Sequence, residues 1–200
     1  MLKYEWKKSE KEIYLPKEIP TLITIPKMKY FTISGTGNPN NPDFQNKIGV
    51  LYSLAYAVRM MPKNAHTPEG YFEYTVYPLE GAWTGNVSNK DSFAYTIMIR
   101  QPGFVDSDIF NKALEIAKKR KPNILLDDAK FETIEEGLCV QMMHIGSYDD
   151  EPVTFEQMDK FISDNNYKRT TKTHKEIYLS DPKKIVPEKL KTILRYGVAK

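Results

Sequence analysis

Apolar positions along this chain fall into two rhythms. Lys29 to Gly35 (Lys-Tyr-Phe-Thr-Ile-Ser-Gly) is rich in β-branched and aromatic residues and lies between Pro26 and Gly35, which predicts a strand. Tyr71 to Tyr77, ended by Pro78, predicts another, as do Phe93 to Arg100, Leu138 to Ile145, Thr171 to Leu179 and Thr192 to Val198. The second rhythm is helical. Pro42 and Asp43 suit a helix start, and Phe44, Ile48, Leu51, Ala55 and Val58 then recur at three- and four-residue spacing until Pro62. Ile109, Phe110, Ala113, Leu114 and Ala117 predict a helix over about 106–120. Phe155, Met158, Phe161 and Ile162 predict one from Pro152 to about Asn165. Asp43, Asp106 and Asp150 read as helix-opening residues. Residues 1–20, charged and punctuated by Pro16 and Pro20, read as a lead-in segment with a short helix around Tyr4 to Tyr14.

The order of elements repeats. A strand, a Gly-containing loop, a Pro-opened helix and two strands occur once over about 27–101 and again over about 131–198, with a connector helix at about 105–121. Ile33-Ser-Gly before Pro42 parallels Ile145-Gly-Ser before Pro152, and Glu73-Tyr-Thr-Val-Tyr-Pro parallels Glu176-Ile-Tyr-Leu-Ser-Asp-Pro. The expected fold class is α+β. Duplicated strand–helix–strand–strand units would form a pseudosymmetric antiparallel sheet with helices on one face and a central ligand groove, all within a single domain over 21–200.

Composition narrows the function classes. Twenty-nine basic and 26 acidic residues leave a net charge of +3, too weak and mixed to argue for nucleic acid as a partner. The lysines at 118–121 and 183–184 read as solvated surface. One cysteine, Cys139, allows no internal disulfide and reads as core packing rather than a reactive thiol. The three histidines match no zinc spacing, so neither a metal nor a cofactor is expected. No apolar run approaches the roughly 18–20 residues of a membrane span, and the first residues lack a signal-peptide core; the expected location is cytoplasmic. No phosphate-binding, dinucleotide-binding or nucleophile-elbow motif occurs. The unusual feature is the aromatic set of 13 Tyr, 9 Phe and 2 Trp. Tyrosine suits both half-wet cores and ligand cavities.

The most informative segment is His174 to Pro182. Strand alternation puts His174, Glu176 and Tyr178 on one face and Lys175, Ile177 and Leu179 on the other. If Ile177 and Leu179 pack under the helices, Glu176 and Tyr178 look the opposite way. Glu176 is then either a solvent-facing glutamate or a carboxylate among aromatic rings. In the second case it would attract a lipophilic cation or act as a base. Either face of the Tyr71–Tyr77 strand could line the groove. Trp83, just past that strand, is a core plug or a ligand platform. Tyr52 and Tyr56 wall the groove or stack on each other.

These segments resemble a known family. Phe31-Thr-Ile-Ser-Gly-Thr-Gly-Asn-Pro-Asn, Tyr71 to Trp83 with its Pro-Leu-Glu-Gly-Ala-Trp end, and Glu176-Ile-Tyr-Leu-Ser-Asp-Pro182 are similar to the GyrI-like small-molecule-binding proteins, over roughly residues 20–198. The resemblance implies a two-fold pseudosymmetric α+β fold with a central aromatic pocket and a pocket glutamate at Glu176. Some stand-alone members are cyclopropanoid cyclopropyl hydrolases, which open the strained ring of DNA-alkylating compounds with water. The roughly 20 residues before the first expected strand are too few for a helix-turn-helix domain. On this resemblance Glu176 is the general base, Tyr74 or Tyr178 its helper, and Trp83 with Tyr56 and Tyr52 the cage. Glu73 is the pseudosymmetric counterpart of Glu176. The partner is then a lipophilic aromatic small molecule, either hydrolysed or simply sequestered or sensed.

Overall fold

The computed structural model describes residues 3–64, 66–85 and 89–200. It is α+β, with antiparallel pairing between its strands. The chain divides into two compact units.

The first unit takes the first residues through Trp6, Met28–Leu79 and Gly85–Ile134. Helix α1 is one turn, Trp6–Ser9, and α2 another, Lys11–Tyr14; α2 and strand β1 (Thr21–Ile25) belong to the second unit. Strand β2 (Met28–Thr36) leads into α3 (Pro42–Arg59), which starts with Pro42 in its first turn. Strand β3 (Leu79–Thr84), which belongs to the second unit from Glu80 on, comes next in the chain, then β4 (Ala94–Gln101) and α4 (Ser107–Arg120), where Asp106 caps the helix by accepting from the Ile109 amide at 2.9 Å. Strand β5 (Lys130–Ile134) closes the unit, and β2 pairs with both β4 and β5. Phe44, Leu51, Ala55 and Val58 of α3 are buried as the helical spacing predicts, and α3 packs on β2, β4 and α4.

The second unit takes Lys7–Lys27, Glu80–Thr84 and Glu135–Lys200. It holds β6 (Gly137–Ile145), α5 (Glu151–Asp164), the two-residue β7 (Lys168–Arg169), β8 (His174–Tyr178) and β9 (Lys191–Ala199). Its strands lie in the order β1, β6, β9, β8, with residues 80–83 of β3 on the outer side of β8. Met158 and Ile162 of α5 pack on Val140, Met142, Leu194, Tyr196 and Val198.

Three features depart from the sequence reading. Tyr71–Tyr77 is not a ladder strand, because other groups take its backbone polar atoms. Tyr4 donates to Glu73 O at 2.7 Å and accepts from Thr75 N at 2.9 Å. Arg59 Nε donates to Tyr74 O at 2.6 Å, and Trp6 Nε1 to Val76 O at 3.0 Å. The strand begins instead at Leu79 and takes in Trp83, which was expected just past a strand. Strands β1 and β5, both five residues, are additional. β1 lies two residues before β2 yet pairs with β6, whereas β5 pairs with β2. Pro26 stands between β1 and β2, and its ring fixes a negative φ, which excludes the two-residue hairpin turns that need positive φ. Finally, the second unit's sheet carries α5 on one face and the lead-in segment on the other. Glu12 O accepts from Gln141 Nε2 at 2.6 Å, and Ile13 O from Arg195 at 3.0 Å.

Candidate functional site

The site is built on β8. Glu176 stands opposite Gly81 on one side and Leu194 on the other. Leu194 belongs to the apolar layer under α5, so Glu176 points to the α5 face. The expectation that Ile177 and Leu179 would lie under the helices, with Glu176 on the far side, is therefore reversed. His174, Glu176 and Tyr178 do share a face, as alternation predicts. Tyr178 Oη donates to Glu176 Oε2 at 2.7 Å, and His174 Nε2 lies 3.0 Å from Oε1. A carboxylate oxygen only accepts, so this contact is a hydrogen bond when His174 Nε2 bears a proton. The side chain of Glu176 is 12% exposed, so it is neither free in solvent nor sealed away.

Trp83 completes a directed chain. Its indole N–H donates to Tyr178 Oη at 2.9 Å, and that hydroxyl in turn donates a hydrogen bond to Glu176. Gly81 makes the seat. A Cβ built there would lie 2.4 Å from Trp83 Nε1 and 3.2 Å from Tyr178 Oη. The Glu-Gly-x-Trp run is thus one device: the missing side chain at 81 lets the indole of 83 fold back across the strand onto Tyr178. Burial first, then the charge on Glu176, push the Tyr178 hydroxyl well above its usual range, which keeps it a donor.

Aromatic groups surround the carboxylate. The Phe155 ring stands 4.8 Å from the His174 ring, and Tyr148 meets Tyr178 edge-to-face at 5.9 Å. Burial, followed by the charges of Glu176, Glu151 and Asp181, pushes Tyr148 up to about 12.

The sequence reading missed Glu151. It opens α5, is buried, and its Oε1 has no partner among the described residues. Burial is the first cause that drives its carboxyl well above the usual carboxylate range; the charges of Glu176 and Asp149 add to it. The signal was present as an acidic residue directly before Pro152, but the stretch from Gly146 to Pro152 reads as a loop.

The opposite face of the same strands carries an ionic row. Ala82, Lys175, Arg195 and Gln141 are successive cross-strand neighbours. Lys175 Nζ donates to Glu80 Oε2 at 2.9 Å and to Glu136 Oε1 at 2.7 Å. Arg195 donates to Gln141 Oε1 at 2.8 Å and to Glu136 at 3.4 Å. Burial alone would raise Glu136, but Lys175 and Arg195 overrule it and hold the carboxyl below its ordinary value. Each charge is matched, as burial demands. Cys139 is buried, and burial above all pushes its thiol up to about 11, so it packs and does not react.

The structure therefore brings Glu176, Tyr178 and Trp83 together in the second unit. The other expected site residues lie in the first. Tyr52 and Tyr56 meet on α3 with tilted rings whose centres are 6.3 Å apart, and Tyr56 is exposed. Glu73 is paired with Arg59 at 2.5 Å. Tyr74 is buried among Tyr71, Phe72 and Phe104, and its hydroxyl has no partner among the described residues. Burial raises that hydroxyl beyond its usual range, so it remains a donor. Among the described residues no group of three or more His, Cys, Asp or Glu could hold a metal ion, and no helix is long and apolar enough to cross a membrane.

Comparison with known proteins agrees with this architecture. The family model described as the GyrI-like small molecule binding domain matches residues 19–196. The chain is similar to a hydrolase from Listeria innocua, with 37% identity and a TM-score of 0.93, covering 98% of this chain and 100% of that one. An uncharacterized conserved protein from the same organism matches with 37% identity, a TM-score of 0.94 and the same coverage. The C-terminal domain of EcmrR shares the fold at 15% identity and a TM-score of 0.53, covering 90% and 97% of the two chains. No curated protein matches the chain.

Proposed function

Because this chain belongs to the family of GyrI-like small-molecule-binding domains, we propose that it takes a lipophilic aromatic molecule against the Glu176 face and hydrolyses electrophilic cyclopropanoid compounds there. The observation that carries this reading is the Trp83–Tyr178–Glu176 chain: a mostly buried carboxylate, oriented at both oxygens, beside aromatic rings. Each carboxylate oxygen has a second lone pair, so Glu176 can accept a proton from a bound water while Tyr178 and His174 hold it in place. In a spiro-cyclopropyl dienone, the water oxygen forms a bond to the ring CH₂. One cyclopropane C–C bond breaks, and its electron pair flows into the dienone to give a phenolate. Glu176 takes the proton from water. General base catalysis of this kind contributes typically ~10²- to 10⁴-fold. Tyr148, Phe155 and Trp83 offer ring faces and edges for a flat ligand, each contact adding about 0.5–1.5 kcal/mol. Such chemistry would serve detoxification inside the cell.

The test is incubation with a spiro-cyclopropyl dienone alkylator, followed by mass spectrometry. The expected product is the ligand plus one water, formed at least ~10²-fold more slowly by Glu176→Gln. Unaltered turnover in that variant would remove Glu176 from the role of base. Recovery of bound but unchanged ligand would leave a sequestering or sensing protein and no enzyme.

A further inference from the structure

Resting on that reading, we propose that the buried, unpartnered carboxyl of Glu151 donates to an acceptor oxygen of the bound molecule, so that the site holds an acid and a base together. Glu151 lies in the first turn of α5 with 6% of its surface exposed, and its Oε1 is unpartnered among the described residues. A buried polar atom left open in this way requires water or a ligand. The groups around it explain why it keeps a proton. On its own side are Tyr148, Asp149 and Asp150, with Asp150 Oδ2 taken by Ser147 at 2.8 Å. From β8 come Glu176 and Tyr178, with His174 on the far oxygen of Glu176. The charges that act on Glu151 are Glu176 and Asp149, both negative.

Two carboxyl groups in one half-buried site cannot both ionise cheaply, and environments that push them apart mark the acid and the base. Glu176 makes hydrogen bonds at both oxygens, with Tyr178 and His174, whereas Glu151 has an unmatched oxygen and a carboxyl that burial drives upward. The substrate class follows. The second recognition point is a carbonyl oxygen, and in the cyclopropanoid reaction it is the dienone oxygen. As the C–C bond breaks and charge reaches that oxygen, Glu151 passes its proton there and the product leaves as a phenol. Glu176 has meanwhile taken the proton from water, so one proton moves from Glu151 to Glu176 per turnover and solvent resets both.

Binding and turnover test this separately. Benzophenone and diphenylmethane differ by one carbonyl group. At pH 7 calorimetry should show benzophenone bound about tenfold more tightly, the effect of one hydrogen bond of ~1.4 kcal/mol. Glu151→Ala should erase the preference, and Glu151→Gln, whose amide still donates, should keep part of it. The carbonyl stretch of a protonated carboxylic acid should be present in the infrared spectrum of the free protein and absent from Glu151→Gln. Turnover should fall on the alkaline side as Glu151 ionises, and Glu151→Gln should lose that limb. Equal affinity for the two probes, or a wild-type spectrum without the acid band, overturns the proposal while leaving an aromatic pocket in place. If neither probe binds, the pocket reading falls, and this one with it.

Discussion

Replacing Gly81 by alanine adds one methyl group at the point where Trp83 folds back over its own strand. The new Cβ would lie 2.4 Å from Trp83 Nε1 and 3.1 Å from Cε2. Ordinary contact begins near 3.4 Å, so the indole must withdraw by about 1 Å. That movement opens the 2.9 Å bond to Tyr178 beyond hydrogen-bonding range. Overpacking costs typically about 1–3 kcal/mol and the lost bond about 0.5–1.5 kcal/mol. Alanine in a strand returns roughly 0.5–1 kcal/mol relative to glycine. The expected net loss is about 1–3 kcal/mol, read from urea unfolding followed by circular dichroism, which needs no tryptophan. The decisive comparison repeats Gly81→Ala in Trp83→Ala. With the indole gone, the methyl has nothing to strike, and its cost should fall below about 0.5 kcal/mol. Equal costs in both backgrounds would refute the claim that Gly81 exists to seat Trp83. The coupling should also reach the site: in Gly81→Ala, Tyr178 loses its donor from Trp83 and ligand affinity should drop.

Further expectations concern the same strands. Tyr178→Phe removes both the acceptor for Trp83 and the donor to Glu176, and should cost roughly 1–3 kcal/mol by chemical denaturation while lowering ligand affinity; a neutral result would mean that the relay is incidental. Lys175→Met leaves Glu80 without this cation and Glu136 with Arg195 alone and should destabilise by about 3–5 kcal/mol, whereas removing a surface lysine such as Lys160 should change little. Glu136 is held below its ordinary 4.5, so its stabilising effect is present above that pH and is lost as pH falls through its lowered value. Glu136→Gln should therefore be less stable at neutral pH and flatter in acid; an acid limb as steep as that of the wild type would contradict this. Lys175 is raised above 10.5 because Glu80 and Glu136 outweigh its burial, so its contribution should vanish as pH climbs beyond that value.

Much of the fold was legible because it rests on local patterns. The stripes of α3, α4 and α5 follow helical spacing, and Phe44, Leu51, Ile109, Ala113, Met158 and Ile162 are buried accordingly. Asp106 caps α4 by the short-range rule. The shared face of His174, Glu176 and Tyr178 needed only the two-residue period of a strand. What failed was whatever depended on a distant partner. Tyr71–Tyr77 has strand composition, but Tyr4, Trp6 and Arg59 occupy its backbone groups. Trp83 reads as lying just past a strand, yet pairing with His174 to Ile177, almost a hundred residues away, makes the Glu-Gly-x-Trp run a strand itself.

The division between the two levels has a plain physical origin. Periodicity and proline placement are properties of neighbouring residues, so sequence alone determined the helices α3, α4 and α5 and which residues share a face with Glu176. Which face α5 covers, and therefore whether Glu176 meets aromatic rings or bulk water, depends on strand register with β9. So does the company of Glu151: burial and a second negative charge shift its carboxyl, and both are set by residues brought near only when the sheet forms.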